Sequence, residues 1–283
     1  MMKIGCGTVL FRKFELERSL AAMRDIGFEY FETQAVGPWC PHVNVDEDDP
    51  ENLVRLQKKY GFKAITGLWS KDGNIIANKN AVESGIRTVE FAAAAGIPVV
   101  HTGDGSKPKG VDMSDEDAFK ILEEKLSRIL EVAKKHNVIM AIEPHGVFSL
   151  KLAGLKRILD IGTPDVLGVN FDAANVFRAA YVESGNNKSG WKTSGTGENE
   201  VEALKGVIDR VVHCHAKDLD AEKNCVPVGT GLVNVAGCID VLKAANYQGV
   251  ISVETEGGDD FDQVCDLAAK SYAYLNAKIK GEQ

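Results

Sequence analysis

The stretch RVVHCHAKD (residues 210–218) runs through β-branched, apolar positions and ends in side chains able to bind a cation. Three other segments share this form. VIMAIEP (138–144) brings Glu143 to its end, VLGVNFD (166–172) brings Asp172, and GVISVE (249–254) brings Glu254. Together with His215 the order is Glu, Asp, His, Glu, spaced too widely for one helix or turn to gather them. A closed barrel of parallel strands gathers them directly, because each strand delivers its last residue to the same rim. Three carboxylates and an imidazole at one point repel each other unless a divalent cation lies among them.

The same strand-then-helix alternation fills the chain. Strand patterns fall at 3–9, 28–34, 62–68, 98–103, 138–143, 166–172, 210–216 and 250–254. Amphipathic segments follow each of them, at 15–26, 50–60, 79–95, 114–136, 149–160, 199–208, 234–246 and 260–280. The fourth is the clearest: Ser114 is placed to cap it with Asp117 three residues on, and Phe119, Leu122, Leu126, Ile129, Leu130 and Ala133 recur at helical spacing. Eight such pairs without a Pro/Gly/Ser linker predict α/β architecture, a single (β/α)8 barrel domain over residues 1–283. An open doubly wound sheet fits less well, since no GxGxxG follows the first strand.

The chain has 283 residues, 44% of them hydrophobic, which suits one large barrel core. A net charge of −8 and a pI near 5.4 argue against nucleic acid as a partner. The N-terminal residues become charged too early for a signal peptide, and no apolar run is long enough for a membrane span. Six scattered cysteines without a CxxC pair read as reduced thiols, so a cytoplasmic location without membrane contact is expected. Cys214 lies between two histidines but should face the opposite side of its strand. Three strand-to-helix loops are long: 35–49, 103–113 and 178–198. The last is rich in Gly, Ser, Asn and Lys around Trp191, a composition suited either to a cover over the site or to a plain surface excursion.

A glutamate closing a strand is often only the first-turn acid of the next helix. That reading weakens when four consecutive strands do the same at the active rim of a barrel. One imidazole with three carboxylates is an oxygen-rich set favouring Mn²⁺, with Mg²⁺, Co²⁺ or Zn²⁺ as alternatives. One such ion with open positions would take neighbouring oxygens of a hydroxy-carbonyl substrate, polarise the carbonyl and stabilise an enediolate.

These residues, in the phrases AIEPHG, NFDAAN, HCHAKD and ISVE, resemble the xylose isomerase-like TIM-barrel superfamily, in particular its sugar (phosphate) isomerase and epimerase branch. The resemblance spans the chain and is specific for the superfamily but poorly specific for the reaction. It implies that Glu143, Asp172, His215 and Glu254 bind one divalent metal and that Glu143 and Glu254 act as an acid/base pair on opposite faces of the substrate. Two carboxylates flanking one carbon permit deprotonation on one face and reprotonation on the other. Several relatives carry DxxH after the aspartate, whereas this chain has Asn175, which can hydrogen-bond a hydroxyl but is a poor zinc ligand. That departure and the acidity count against a multi-zinc DNA-repair endonuclease.

Around the four residues, His101, His145, Asn175, Lys217, Trp39, Trp69 and Glu32 are candidate substrate contacts. Each has a structural alternative: packed imidazole, solvated lysine, core or lid aromatic, buried ion pair. His213 should face the same side as His215 one layer deeper, in the core or supporting a ligand. Gly229 and Gly231 in VPVGTGLVN are weak evidence for a phosphate site. The leading expectation is a metal-dependent isomerase or epimerase of a carbohydrate, in a homo-oligomer (dimer or tetramer) or as a partner subunit. The alternative is a lyase on the same scaffold, a dehydratase or 3-oxo-C-glycoside deglycosidase. A barrel that only binds sugar is a third reading, disfavoured by the complete ligand set.

Overall fold

The computed structural model describes residues 2–178 and 197–281, with Asp72 described by its backbone alone. The expected cover at 178–198, including Trp191, therefore lies outside the described residues except at its ends. Eight parallel strands close into a barrel: β1 (Lys3–Gly7), β2 (Tyr30–Gln34), β3 (Ala64–Asn74), β4 (Val99–Gly103), β5 (Ile139–Ile142), β6 (Leu167–Asp172), β7 (Val211–Ala216) and β10 (Val250–Val253). Around the barrel they run β1-β10-β7-β6-β5-β4-β3-β2. A short antiparallel ribbon, β8 (Asp218–Leu219) with β9 (Cys225–Val226), projects beyond β7.

The outer ring consists of α1 (Leu16–Ile26), α2 (Pro50–Lys59), α3 (Ala81–Ala94), α4 (Asp115–His136), α5 (Leu152–Leu159), α7 (Glu200–Val207), α8 (Val235–Ala244) and α9 (Phe261–Lys280). The reason these segments are helical is visible in α4. Ser114 accepts a hydrogen bond from the Asp117 amide at 3.0 Å and donates to its carboxylate at 2.6 Å. Phe119, Leu122, Leu126, Ile129, Leu130 and Ala133 line the buried face, and Asn137 ends the helix in the left-handed conformation.

Three features go beyond the sequence pattern. The first strand stops at Gly7 because Thr8–Phe11 turn into a buried 3-10 helix. β3 runs past its expected end at 68, with a register shift between Trp69 and Asn74 before it rejoins Gly103 of β4. A short helix, α6 (Ala173–Arg178), starts immediately after Asp172, whose Oδ1 accepts the amides of Ala174 and Asn175 at 2.8 and 3.0 Å. The Asp172 carboxylate is thus both the end of a strand and the cap of a helix.

Register does the positioning. Asp172 pairs with His215 and Asn170 with His213 across β6 and β7, while Ala216 pairs with Val253 across β7 and β10. The Glu143 amide continues the ladder to the Thr102 carbonyl, and the Glu254 amide to that of Ala216. Cys214 takes the alternate face and borders the cleft between β7 and α8 with Cys238 and Leu242, outside the barrel.

Candidate active site

The four strand ends meet in a buried cluster. His215 Nδ1 lies 3.0 Å from Glu143 Oε2 and 3.9 Å from Glu254 Oε2. Lys217, two residues beyond His215 on the same face, extends its ammonium to 3.0 Å from Asp172 Oδ2 and 2.5 Å from Glu254 Oε2. All of these side chains are almost wholly withdrawn from solvent. Amides hold the carboxylates in place. Asn170 Nδ2 donates to Glu143 Oε2 at 2.9 Å, Asn175 Nδ2 to Glu143 Oε1 at 2.8 Å, and Gln34 Nε2 to Glu254 Oε1 at 3.0 Å. Arg178 in turn donates to Asn175 Oδ1 at 2.7 Å.

Burial and neighbouring charge set the protonation states. Burial pushes Glu143 up to about 7, against the opposing pull of the His215 imidazolium, with Glu254 and Asp172 adding to the rise. Burial also acts on Asp172, but Lys217 and His215 outweigh it and hold the carboxyl below its usual value. For His215 burial is overcome by Glu32, Glu143 and Glu254, and its pKa rises well above normal. Lys217 likewise stays charged, because Asp172 and Glu254 outweigh its burial. Glu256 is buried beside Lys217 and Arg178 and is pushed up to about 7, mainly by burial.

A second layer lies beneath. Glu32 Oε1 is 2.9 Å from His215 Nε2, and Glu32 Oε2 is 3.4 Å from His213 Nε2 and 3.9 Å from His101 Nε2. The His101 ring stacks on His215 at 5.4 Å and meets His213 edge-on at 4.5 Å. Burial keeps both lower histidines neutral: His213 is pushed down to about 4 and His101 well below its ordinary value.

The structure distributes the candidate substrate contacts unevenly. Lys217 and Asn175 lie directly against the four strand-end residues. Glu32 and His101 lie under them rather than beside the opening. His145 packs edge-on against Trp69 at 5.1 Å, its amide bonded to Ser149 Oγ at 2.9 Å. Trp39, by contrast, is 40% exposed, with the Arg12 guanidinium 4.8 Å above its ring. Gln34, Asn170, Arg178 and Glu256 belong to the cluster and were not anticipated. Strand alternation could have found two of them, since Gln34 and Asn170 share faces with Glu32 and Asp172.

Asp218, the residue after Lys217, faces away from the cluster. Its Oδ1 accepts the amides of Leu219 and Val233 at 2.9 and 3.0 Å, and its Oδ2 accepts those of Gly229 and Gly231 at 2.9 and 2.8 Å. A β carbon on Gly231 would stand 2.3 Å from Asp218 Oδ1, so only glycine permits this approach. The two glycines serve this internal anchor.

The cluster suits a divalent cation. Donor atoms of Glu143, Asp172 and His215 all lie within 4.8 Å of one another. Among the described residues Asp172 Oδ2 and Glu254 Oε2 are buried without a hydrogen-bond partner, though both are in ion-pair contact with Lys217. Buried acceptors of this kind, with an imidazole, form the donor set of a borderline-hard cation.

The sequence profile described as a xylose isomerase-like TIM barrel matches residues 20–277, and the chain belongs to that family. An uncharacterised protein of Methanocaldococcus jannaschii is 22% identical over 98% of this chain and 92% of its own length. The inosose dehydratase of Mesomycoplasma hyopneumoniae is 23% identical over 93% of this chain and 88% of its own. Among solved structures, a D-tagatose 3-epimerase-like protein superposes with a TM-score of 0.77 at 20% identity, covering 99% of this chain and 97% of that one. Among the described residues no helix is long and apolar enough to cross a membrane.

Proposed function

We propose that the protein is a divalent-metal-dependent isomerase or epimerase of a sugar or sugar-like hydroxy-carbonyl compound. The observation that carries this reading is the convergence of Glu143, Asp172, His215 and Glu254 from four consecutive barrel strands. The cation, Mn²⁺ by preference for this oxygen-rich set, would be held by those four residues and would supply Lewis-acid polarisation of the substrate carbonyl. Glu143 and Glu254 exchange the proton at the adjacent carbon. A carboxylate that would hold the cation through one oxygen keeps the other as a proton acceptor. Asn170 and Asn175 keep both oxygens of Glu143 oriented, and Gln34 with Lys217 does the same for Glu254. Lys217 also places a cation where negative charge develops on substrate oxygen.

The test is a product screen by NMR in D₂O with Mn²⁺ and a panel of ketoses. Deuterium at the carbon next to the carbonyl, with a new stereoisomer or aldose, supports the proposal. A panel returning neither exchange nor product would defeat it.

The inosose dehydratase relatives favour a second reading, elimination of water from a cyclic polyol ketone. It begins with the same proton abstraction, and the outcome depends on the leaving group at the next carbon. Inosose added to the same screen separates the two: an unsaturated product would move dehydration to first place.

A further inference from the structure

We infer that a second divalent-cation site lies one layer beneath the proposed catalytic one, formed by Glu32 Oε2, His101 Nε2 and His213 Nε2, and that it selects zinc-like ions. Hydrogen-bond directions fix the donor atoms. Asn170 Nδ2 donates to Glu143, which orients the amide and turns its Oδ1 toward His213 Nδ1 at 3.0 Å. A carbonyl oxygen only accepts, so His213 carries its proton on Nδ1 and presents a lone pair at Nε2. That lone pair faces Glu32 Oε2, another acceptor, at 3.4 Å. Thr66, whose Oγ1 is also 3.4 Å from His213 Nε2, directs its hydroxyl to the Phe31 carbonyl at 3.2 Å.

His101 completes the set. Among the described residues neither of its ring nitrogens has a hydrogen-bond partner, nor has Glu32 Oε2; Glu32 is in ion-pair contact with the three histidines. All these side chains are at least nine-tenths buried. Buried acceptors turned toward one another are costly unless something positive lies between them. The spacing suits a small ion. Ligands bound tetrahedrally at zinc distances lie about 3.4 Å apart, against the 3.4 and 3.9 Å separating Glu32 Oε2 from the two nitrogens. Room is made by Gly67, where a β carbon would fall 2.0 Å from His101 Nε2.

Two imidazoles and one carboxylate are a zinc-type set, whereas the upper cluster is oxygen-rich. Glu32 Oε1 remains on His215 Nε2, so the lower site would also hold the upper histidine with its Nδ1 toward Glu143.

The test is metal stoichiometry by elemental analysis after dialysis against Zn²⁺, on wild type, His101→Gln, Glu32→Gln and Asp172→Asn. The inference expects two equivalents in wild type and one in each variant. It further expects the zinc retained by Asp172→Asn to show two histidine neighbours by X-ray absorption. One equivalent in wild type, abolished by Asp172→Asn but kept in His101→Gln, would overturn the lower site while leaving the proposed function standing. One equivalent abolished by His101→Gln but kept in Asp172→Asn would do the reverse. Should the lower-layer variants fail to fold, X-ray absorption on wild type decides. An average of one and a half histidines per zinc at two equivalents supports the inference, and one histidine at one equivalent refutes it.

Discussion

The Lys217 ammonium sits 3.0 Å from Asp172 Oδ2, deep in the barrel mouth, and the same nitrogen reaches Glu254 at 2.5 Å. One buried cation is therefore shared by two of the four strand-end groups. Replacing it by methionine keeps the volume and removes the ammonium partner of both carboxylates. Lys217→Met should destabilise the metal-free protein by about 3–5 kcal/mol, and added Mn²⁺ should recover more stability in the variant than in wild type. Urea titrations in EDTA and in MnCl₂ measure both. Equal midpoints for variant and wild type in EDTA would remove the structural role given to this pair.

Glu143→Gln and Glu254→Gln should each lower turnover by at least about 10²–10⁴-fold while leaving the circular dichroism spectrum unchanged. Glutamine retains an acceptor oxygen and the side-chain volume but cannot carry the proton. Near-normal rates in both variants would refute the proton-shuttle assignment.

His42, outside the four strand-end residues, offers a pH prediction. Its Nε2 lies 2.9 Å from the Phe14 carbonyl and must donate to it, leaving Nδ1 to face the Cys40 thiol at 3.6 Å. Burial holds its pKa below the ordinary 6.5. A folded-state pKa below the unfolded one means the unfolded chain binds more protons as pH falls, so this stability is complete above pH 6.5 and drains away below it. Wild type should lose more stability than His42→Asn between pH 7.5 and 5. Parallel denaturation midpoints for the two proteins across that range would show that His42 contributes nothing to the acid sensitivity.

Asp218→Asn should cost about 1.5–3 kcal/mol or more, because an amide offers one acceptor oxygen where the carboxylate serves four backbone amides. A thermal melt compared with wild type reads this out. A shift indistinguishable from zero would mean the segment 227–233 holds its shape without the anchor.

Much of this was legible in the chain. The barrel followed from period-two apolar runs alternating with helical ones, and the meeting of the four strand ends followed from the barrel. Glu32 and His101 were legible as inward-facing but not by depth. Whether a residue near a strand end reaches the opening or points beneath it depends on register stagger between strands, which composition does not reveal. The extension of β3 past Trp69 was hidden for a similar reason: the residues from Ser70 to Asn74 lack an apolar alternation, and the strand rejoins β4 only at Asn74, after an irregular step. Arg178 and Glu256 were missed because each lies on a segment without periodicity, buried only by what surrounds it.

Lys217 and Asp218 are neighbours that serve opposite sides of the backbone, one directed at the chemistry and the other at the loop beyond it. Their order therefore behaves as a reading frame. Deleting one residue between His215 and Asp218 would trade a cation for an anion in the barrel mouth and unfasten the following turn at once. For chimaeras built by exchanging loops among barrels of this kind, the seam after β7 belongs beyond Val233. A graft whose seam falls between Leu219 and Val233 would carry half of a fastening and leave the other half behind.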